Sequence, residues 1–567
     1  MAAVAGKSGP LSAAVTKAVG LLPESVTRTV DDAVETAEAY LLLQTSGFID
    51  VRHPAQVLRA VRGNRTLGPA TTMIKKSAEQ YPDAPAVTDE RGTLTFREID
   101  EASDRLANAL LATGLRPGDV VGMLARDHRG LVLTIAAAGK AGFRLAMMNT
   151  GFAKPQFAEV ALREHVQAML HDSEFVGLLD ALPADMPRFL TWVDDGDALP
   201  GGSITIDELI DRGPAGAPPT PETAGGFIIL TSGTTGLPKG APRTKVDPTT
   251  SAVFLDRLPI PKRGSVAVAS PLFHATGFAL WTIATSMGNE TVTMRRFDPE
   301  NTLRLIAERH VDLLVAVPTM LARIMALGPE TIAKYDTSSL RGIVVAGSAL
   351  APELAERVQD TFGDVLYNLY GSTEVAVASI ATPDELRRAP GTVGRPPITS
   401  HVALFDEAGR RITEPDVKGR VFVRAGAAFE GYTDGRTKEV IDGFMSSGDM
   451  GHFDAEGLLF IDGRDDDMIV SGGENVYPQE VENLLSAHPE VLDVAVIGVD
   501  DADFGARLRA LVVRTAGSAL DVEGVRDHVR ANLARYKVPR DVIFVDELPR
   551  NPTGKLIRKQ LREIPAE

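Results

Sequence analysis

One stretch of the chain combines hydroxyl side chains, glycines and a single lysine in a form that suits phosphate binding. It runs from Leu230 to Gly240 and follows the apolar, strand-like run 227–230. Glycine lets backbone N–H groups approach phosphate oxygens closely, hydroxyls donate further hydrogen bonds, and a lysine adds a point charge. The stretch is not a Walker loop, because Pro238 precedes its lysine and Gly240 follows it. The predicted phosphate-binding residues are Thr231, Ser232, Gly233, Thr234, Thr235, Gly236 and Lys239.

A loop of this composition is usually only a turn, but residues 231–240 resemble the AMP-binding signature of the adenylate-forming superfamily. That superfamily includes acyl- and aryl-CoA synthetases, luciferases and peptide-synthetase adenylation domains. Five further motifs match it in the same order: Tyr370-Gly371-Ser372-Thr373-Glu374, Gly391-Thr392-Val393-Gly394-Arg395-Pro396, Ser447-Gly448-Asp449, Gly463-Arg464-Asp465-Asp466-Asp467 and Asn551-Pro552-Thr553-Gly554-Lys555. Six ordered motifs make coincidence negligible. The resemblance covers residues 71–567 and leaves residues 1–70 outside it.

The resemblance implies that the protein activates a carboxylic acid with ATP and Mg²⁺ and then transfers the acyl group to coenzyme A. In the first step a poor nucleophile attacks the α-phosphorus, so the site must neutralise spreading negative charge. Lys555 is expected to bridge the carboxylate and the α-phosphate. Glu374, helped by Thr234, is expected to hold Mg²⁺, which prefers hard oxygen ligands. Lys239 and His274 complete the set of predicted catalytic residues.

The same resemblance assigns a second group of residues to the nucleotide. Thr373 is expected to contact the α-phosphate, and Tyr370, next to Gly371, is expected to stack on adenine. Asp449 is expected to accept hydrogen bonds from both ribose hydroxyls, as acidic residues do in other nucleotide sites. Arg464 is expected to reach the ribose or the phosphates. A simple turn aspartate is the weaker interpretation of Asp449.

The motif 271–277 resembles the family's aromatic and histidine motif, which lines the acyl site. His274 is expected to position the substrate carboxylate or to gate the pocket; a core histidine with satisfied hydrogen bonds is the rival interpretation. Small residues and a methionine are expected to line an acyl tunnel, although they also suit helix packing. The predicted pocket residues are His274, Gly277, Met320, Gly347, Ser348 and Ala349.

Two further segments are assigned to a change of conformation. Asp466 occupies the family's hinge position, where a few backbone dihedrals can swing a whole domain. Ser471, Gly472 and Gly473 resemble the loop that packs against the pantetheine arm of coenzyme A, and glycine permits that close approach. Rotation of the domain is expected to remove Lys555 and admit the thiol, so that one site serves two half-reactions.

The elements that must position these motifs alternate, from about residue 71, between amphipathic helices and short β-rich runs. A predicted helix at 96–113, followed by a strand at 119–124, is one example. Such alternation predicts an α/β fold with largely parallel sheets, whose ligands bind at the carboxyl ends of the strands. Residues 197–223, which are rich in Gly, Pro and Ala, are expected to form a surface connection or a boundary.

Three parts are predicted along the chain. Residues 1–70 form a helical N-terminal extension, with its best helix over 30–43. Residues 71–465 form a large adenylate-forming domain of parallel-rich sheets and helices that binds AMP and the acyl group. Residues 466–567 form a small, mobile α+β domain that carries Lys555, with helices at 478–487 and 521–535 and strands at 491–499, 508–515 and 541–546.

Charge and composition exclude several classes of function. The 567 residues include 59 Lys and Arg against 76 Asp and Glu, a net charge of -17, which argues against a nucleic-acid-coating surface. Residues 524–567 carry ten basic and six acidic side chains, so the rest of the chain carries -21. The absence of cysteine removes disulfides, thiolate metal sites and cysteine nucleophiles. The only thiol in the reaction is then the one that coenzyme A brings.

The sequence also bears on location and partners. No segment predicts a membrane span, and the N-terminus lacks the uninterrupted apolar core of a signal peptide. We therefore expect a cytoplasmic protein that binds ATP, an acid and coenzyme A but no nucleic acid. Peripheral contact of residues 13–22 with a membrane is the weaker alternative to a packing role for the extension, and a homodimer is left open.

Three functions are compatible with the motifs. The leading hypothesis is a synthetase that forms acyl-CoA from medium- to long-chain fatty acids. The first alternative is an aryl-CoA ligase, or a fatty-acyl-AMP ligase that loads a carrier protein. The second is a catalytically silent acyl-nucleotide-binding protein, against which the retention of Lys239, Glu374, Asp449 and Lys555 weighs. Residues 241–245 depart from the family's usual Val-x-x-Ser/Thr-His continuation, which puts the substrate contacts of that flank in doubt.

Overall fold

The computed structural model describes residues 24–197, 199, 201–231, 239–243, 249–426, 437–465, 469–471, 474–501, 505–551 and 554–565. Several predicted site residues lie outside these ranges, namely Ser232, Gly233, Thr234, Thr235, Gly236, Asp466, Gly472 and Gly473. The segment 13–22 also lies outside them. Within the described ranges, no helix combines the length and the hydropathy needed to cross a lipid bilayer.

The helices of the described residues are numbered in chain order. Those of the first half are α1 (Glu24–Thr45), α2 (Pro54–Thr66), α3 (Pro69–Gln80), α4 (Phe96–Ala112), α5 (Arg129–Ala141), α6 (Lys154–Arg163), α7 (Val176–Leu179), α8 (Ile206–Arg212), α9 (Thr249–Arg257) and α10 (Ala275–Ser286). Those of the second half are α11 (Pro299–Arg309), α12 (Pro318–Met325), α13 (Pro329–Ile332), α14 (Pro352–Phe362), α15 (Pro383–Arg388), α16 (Pro478–Ser486), α17 (Val522–Asn532) and α18 (Arg558–Glu563).

Two mainly parallel sheets form the scaffold of the large domain, as the alternating pattern predicts. The first has the order β15-β14-β13-β12-β10-β11-β1-β2, and the second has the order β7-β6-β5-β3-β4-β8-β9. The first contains β1 (Pro85–Asp89), β2 (Gly92–Thr95), β10 (Ser265–Val268), β11 (Glu290–Thr293), β12 (Leu313–Ala316), β13 (Gly342–Val345), β14 (Leu366–Ser372) and β15 (Ala376–Ala381). The second contains β3 (Val120–Leu124), β4 (Arg144–Met147), β5 (Val166–Asp172), β6 (Arg188–Trp192), β7 (Ile204–Thr205), β8 (Phe227–Thr231) and β9 (Lys239–Arg243).

Two smaller sheets complete the fold. An antiparallel sheet, absent from the sequence-based expectation, contains β16 (Thr392–Gly394), β17 (His401–Phe405), β18 (Arg411–Ile412), β19 (Gly419–Arg424), β20 (Val440–Ile441), β21 (Phe444–Phe453) and β22 (Leu459–Arg464). The C-terminal sheet contains β23 (Ile469–Ser471), β24 (Glu474–Val476), β25 (Val491–Asp501), β26 (Gly505–Arg514) and β27 (Asp541–Phe544). With α16 and α17, this last sheet reproduces the order of elements predicted for residues 478–546.

Local sequence signals explain where several of these elements begin. The Thr95 hydroxyl accepts from Glu98 N while the Glu98 carboxylate accepts from Thr95 N, a reciprocal cap that starts α4. Thr205 and Glu208 form the same cap at the start of α8. The expectation of a plain connection over 197–223 is therefore wrong in part, since β7 and α8 lie within it. The Thr-x-x-Glu signal was present there but was outweighed by the glycines and prolines around it.

The N-terminal extension packs firmly on the large domain. Leu43 and Ala39 of α1 are fully buried in the main hydrophobic core, and Phe48 follows them into it. Arg424 of β19 donates to Asp32 over 3.2 Å, and His401 of β17 lies 3.0 Å from Glu35. Buried apolar contacts thus join α1 to the core, and ion pairs join it to the antiparallel sheet.

This packing predicts an unequal effect of two leucine substitutions in α1. Leu43 is 0% exposed, whereas Leu41, on the opposite face, is 57% exposed. Leu43→Ala should lower the free energy of unfolding by about 2–5 kcal/mol, because it removes buried methyl groups and leaves a cavity. Leu41→Ala, the matched control, should change it by less than about 0.5 kcal/mol. Urea unfolding followed by circular dichroism measures both, and equal effects would show that α1 does not dock as described.

Candidate active site

Glu374 lies at the tip of the hairpin that joins β14 to β15. The Ser372 hydroxyl donates to Glu374 Oε2 over 2.8 Å and accepts from the backbone N–H groups of Glu374 and Val375 at 3.2 and 3.3 Å. Ala376 follows with a φ of +58°, a left-handed conformation that is costly for a residue with a Cβ. The hairpin tip is therefore held in one shape, and a half-buried carboxylate projects from it. Its hard oxygens suit Mg²⁺.

Three side chains from three strands meet beside this hairpin. The Tyr370 hydroxyl of β14 donates to Asp449 Oδ2 of β21. Arg464 Nε, at the end of β22, lies 3.6 Å from Asp449 Oδ1. Burial, followed by the charge of Asp449, raises the pKa of Tyr370 well above its usual value, so the phenol stays protonated and remains a donor. The structure thus brings together three residues that the sequence assigned to the nucleotide.

Lys555 is held by a short hairpin near the C-terminus. Asn551 N donates to Lys555 O over 2.8 Å, and Lys555 N donates to Asn551 Oδ1 over 2.9 Å. Arg550 donates to Gly554 O over 2.6 Å and pairs with both carboxylate oxygens of Asp493. These bonds link the hairpin to β25 and fix the backbone on both sides of the lysine.

The same hairpin is fitted closely against the large domain. Gly554 has a φ of +76°, and a Cβ at this position would lie 2.6 Å from Thr319 Oγ1 in α12. Glycine is needed here for both reasons, because other residues avoid this φ and the Thr319 side chain occupies the space. The contact sets how far the C-terminal domain brings Lys555 into the cleft.

The electrostatic surroundings of Lys555 suit a polyphosphate. Burial, and after it the charge of Arg464, lowers the pKa of Lys555, while Asp449 and Glu374 raise it. Part of the Lys555 side chain is still exposed to solvent, because it projects into an open cleft whose walls surround it. Lys555 and Arg464 are therefore two neighbouring cations that both border the cleft. A polyanion between them would offset both the burial cost and the mutual repulsion.

His274 stands at the start of α10, on the same side of the cleft. Its Nε2 atom is buried and has no hydrogen-bond partner among the described residues, unlike that of a satisfied core histidine. Burial and the nearby Lys555 lower the pKa of His274 to about 3. Asp127, whose own pKa is raised to about 7 by burial, accepts from Leu272 N over 3.1 Å and steadies this segment. His274 is thus a neutral imidazole with a free ring nitrogen.

Two connected spaces open from this centre. The first, which we call the acid cavity, has a volume of about 600 Å³ and is lined by His274, Phe278 and Ile283 of α10 together with Phe254 of α9. The second, the cleft, is lined by Tyr370, Asp449 and Arg464. Glu374 borders the acid cavity, and both spaces are bordered by His274, Gly347, Gly371, Arg464 and Lys555.

The remaining predicted pocket residues have different positions. Met320, Ser348 and Ala349 line the cleft, and Gly347 borders both spaces. Gly277 packs its Cα against backbone oxygens, since a Cβ there would lie 2.6 Å from Pro271 O. It therefore allows the first turn of α10 to approach that backbone.

The ends of the phosphate loop and of the predicted coenzyme A loop are also placed. Thr231 and Lys239 are paired as the last and first residues of β8 and β9. Thr373 lines the acid cavity beside Glu374. Ser471 ends β23 and pairs with Gly505 in the C-terminal sheet. The roles assigned to these residues stay predictions.

One part of the site was missed from the sequence. Residues of the loop 47–50 and of α2, among them Phe48, Val57 and Asn64, line the far part of the acid cavity. They belong to the extension, which carries no family motif. The sequence predicted a helical extension but gave no sign that one of its helices would close a cavity.

Sequence comparison agrees with this geometry. A sequence profile of AMP-binding enzymes matches residues 74–433, and a profile of the C-terminal domain of AMP-binding enzymes matches residues 480–555. The chain belongs to the AMP-binding enzyme family. The first match begins after α2, so the extension lies outside the part that defines the family.

Three similar proteins cover almost the whole family region. Indoleacetate–CoA ligase from Aromatoleum aromaticum is 32% identical over 502 residues, which are 87% of this chain and 97% of that protein. A fatty acid–acyl-carrier-protein ligase from Streptomyces coeruleorubidus is 30% identical over 86% of this chain and 94% of its own length. The structure of o-succinylbenzoate CoA synthetase from Bacillus subtilis with its acyl-adenylate intermediate is 26% identical, with a TM-score of 0.74, and covers 87% of this chain and 98% of its own.

These matches confirm the predicted fold class and the coarser functional prediction. The chain is an AMP-forming acid–thiol ligase of a family that uses ATP, Mg²⁺ and coenzyme A. The narrower prediction of fatty-acid metabolism has less support, because two of the three similar proteins are named for acids that carry an aromatic ring. They favour the aryl-CoA alternative.

The fit of Gly554 against Thr319 predicts the effect of a small substitution. Gly554→Ala should slow acid-dependent exchange of pyrophosphate into ATP by at least about tenfold, since the added methyl group pushes Lys555 away from its position. Gly517→Ala is the matched control: Gly517 has a φ of +79° but nothing within 4 Å of a Cβ. Gly517→Ala should lower the free energy of unfolding by a similar amount and leave the exchange rate within about twofold of wild type. Equal loss of exchange in both variants would contradict the contact.

The low pKa of His274 predicts that this residue adds no limb to the pH–rate profile. A histidine of depressed pKa is neutral above that pKa, so from about pH 5 to 9 its charge does not change. His274→Gln should therefore lower kcat/KM for the acid by about tenfold, through a lost hydrogen bond, and leave the pH limbs of pyrophosphate exchange in place. A wild-type limb near about pH 6.5 that vanishes in the variant would contradict the assignment.

Proposed function

We propose that the protein joins a bulky, ring-bearing carboxylic acid to coenzyme A through an acyl-adenylate. One observation carries this proposal: Lys555, His274 and Arg464 border both the acid cavity and the cleft, with Glu374 on the cavity side and Asp449 on the cleft side. An acid in the cavity and a nucleotide in the cleft would meet at that opening. The names of two similar ligases support the ring-bearing class of acid.

In the first half-reaction a carboxylate oxygen of the acid attacks the α-phosphorus of ATP. A carboxylate–phosphorus bond forms, the bond to the bridging oxygen breaks, and pyrophosphate leaves. Lys555 donates to the acid carboxylate and to the α-phosphate, which neutralises charge as it spreads. His274, being neutral, orients the carboxylate by a hydrogen bond and withdraws no charge from the nucleophile. Mg²⁺, held by Glu374, would neutralise phosphate oxygens.

The nucleotide is oriented by the group at the ends of β14, β21 and β22. Asp449 accepts from the ribose hydroxyls, and the hydrogen bond from Tyr370 and the nearby Arg464 guanidinium orient its carboxylate. Orientation matters because the attack must be in line with the leaving pyrophosphate. The hydroxyls and Lys239 of the predicted phosphate-binding stretch, residues 231–239, would hold the phosphates.

In the second half-reaction the thiol of coenzyme A attacks the acyl carbonyl. A thioester bond forms and the acyl–phosphate bond breaks. AMP leaves, and the proton of the thiol is released. The Lys555 hairpin fills one wall of the cleft against Thr319, so the thiol needs it to withdraw. The predicted hinge at Asp466 lies between β22 and β23, between the strand that ends with Arg464 and the first strand of the C-terminal sheet. Rotation there would carry Lys555 out as one unit.

The acid is tested by a ligation assay with purified protein, ATP, Mg²⁺ and coenzyme A. Ring-bearing acids such as indoleacetate and o-succinylbenzoate, a long saturated acid and a short aliphatic acid are compared by kcat/KM. We expect the ring-bearing acids to exceed the saturated ones by at least about tenfold, which corresponds to about 1.4 kcal/mol of transition-state stabilisation. A preference for long saturated acids would restore the fatty-acyl hypothesis. Acyl-AMP that accumulates without thioester would indicate a carrier-protein acceptor.

The hinge predicts a separation of the two half-reactions. Asp466→Pro should restrict the backbone where the domain turns, so that the protein is held in one orientation and loses one half-reaction far more than the other. The control is Ala516→Pro, in an exposed turn of the C-terminal domain. Asp465→Pro is unsuitable as a control, because Asp465 adjoins the same hinge. Rapid-quench measurement of acyl-AMP and of acyl-CoA follows each step. If each step runs at the same rate in Asp466→Pro as in the wild type, the hinge assignment is wrong.

A further inference from the structure

The acid cavity follows α10 from one end to the other. His274 precedes this helix at the catalytic end, and Ser286 is its last residue. Its 12 residues span about 18 Å at the usual rise per residue. Ala275, Ala279, Thr282 and Ile283 all line the cavity from the same helix. The length of α10 therefore measures the distance from the reacting carboxylate to the far end.

The middle of the cavity is apolar. It is bordered by Met73 of α3, Phe227 of β8, Phe254 of α9, and Phe278 and Ile283 of α10. Side chains of this kind bind the apolar body of a substrate and offer no hydrogen bond along its length.

The far end is polar and is built largely by the extension. Lys76 of α3 lines it, together with Gln56, Asn64 and Gln80. Gln80 Nε2 donates to Gln56 Oε1 over 3.0 Å, which joins α3 to α2 across this end. Asn64 Oδ1 is buried without a hydrogen-bond partner among the described residues. A polar end beyond an apolar wall is not needed to hold a plain hydrocarbon tail.

Lys76 is held so that it still has a donor to offer. Its Nζ donates to Phe48 O over 2.7 Å and to Ser286 O over 3.0 Å, which uses two of its three N–H groups. Among the described residues no carboxylate pairs with it, and the charge of another cation, Lys262, adds to burial in lowering its pKa. The nearby Asp50 carboxylate is already bound by Arg52 and His53. A half-buried cation without an anion is costly, which makes it a candidate binding group.

We propose that Lys76 binds an oxygen acceptor, either a carbonyl or a second carboxylate, at the end of the substrate acid remote from the carboxylate that reacts. The substrate class is then an acid with an apolar body and an oxygen function at its far end, enclosed by the extension. This inference rests on the proposed function, because it takes the acid cavity as the place where the acid binds.

A purely structural role for Lys76 makes a different prediction. As a tie between the loop 47–50 and the end of α10, the lysine would affect stability and the use of all acids alike. As a binding group, it affects the ratio between acids that differ only at the far end. The ratio of kcat/KM values is therefore the readout.

The experiment compares matched acids with the full-length protein. One set is dodecanoate, its methyl ketone analogue and dodecanedioate; a ring-bearing set is biphenylcarboxylate, its acetyl derivative at the far ring and biphenyldicarboxylate. Comparing the ketones with the dicarboxylates shows whether Lys76 binds a neutral carbonyl or an anionic carboxylate. Each acid is assayed by pyrophosphate exchange with wild type, Lys76→Met and Lys76→Gln, and with Lys75→Met as the control on the same helix.

We expect wild type to prefer the oxygen-bearing member of a set by at least about tenfold, as a hydrogen bond to a charged group allows. Lys76→Met should remove most of this preference, whatever its effect on the apolar acid, and Lys75→Met should keep it. Lys76→Gln keeps amide donors for Phe48 O and Ser286 O, so it remains informative if the methionine variant does not fold. It should lose the preference for the dicarboxylate. Equal use of apolar and oxygen-bearing acids by wild type, or a preference unchanged by both substitutions at Lys76, overturns this inference alone. If no acid of either kind supports exchange, the proposed function itself fails.

Discussion

The account depends on how one positive charge is held between two domains. Lys555 belongs to the C-terminal domain, yet the groups around its side chain, Glu374, Asp449 and Arg464, belong to the large domain. Arg464 repels it while Glu374 and Asp449 attract it, so these opposed charges do not by themselves hold it there. The closely fitted backbone does, through Gly554 against Thr319 and through the bonds of Arg550 to Gly554 and Asp493. A polyphosphate between the two cations would offset the repulsion, which links the position of the domain to the presence of substrate.

The rest of the fold supplies fixed positions for the partners of that charge. Glu374 lies on a hairpin tip braced by Ser372, and Asp449 lies within β21, held by Tyr370. His274 begins a long helix, α10, whose side lines the acid cavity. The reacting groups thus come from the ends of different elements, as in other α/β proteins, whose ligands lie at the carboxyl ends of strands.

Much of this could be predicted from the sequence, and the failures have physical causes. The run 342–345 forms the fully buried strand β13, and the elements of residues 478–546 follow their predicted order, because hydrophobic periodicity and turn residues are local signals. The helix α8 was missed because its cap at Thr205 lies among glycines and prolines. The role of α2 could not be predicted, since Val57 and Asn64 face a cavity that exists only after α3, α9 and α10 have packed around it. The motifs predict the catalytic groups through resemblance, whereas the shape of the acid cavity is a property of the folded chain.

The central claim, that Lys555 serves acyl-adenylate formation and must leave for thioester formation, is tested most directly by measuring the two half-reactions of Lys555→Ala separately. Rapid-quench assays follow acyl-AMP formed from acid and ATP, and then acyl-CoA formed from purified acyl-AMP and coenzyme A. Lys334→Ala, at an exposed lysine of the large domain, serves as the control. The account predicts that Lys555→Ala slows the first reaction by at least about a hundredfold and leaves the second within about threefold of wild type. An equal loss of both reactions would contradict it.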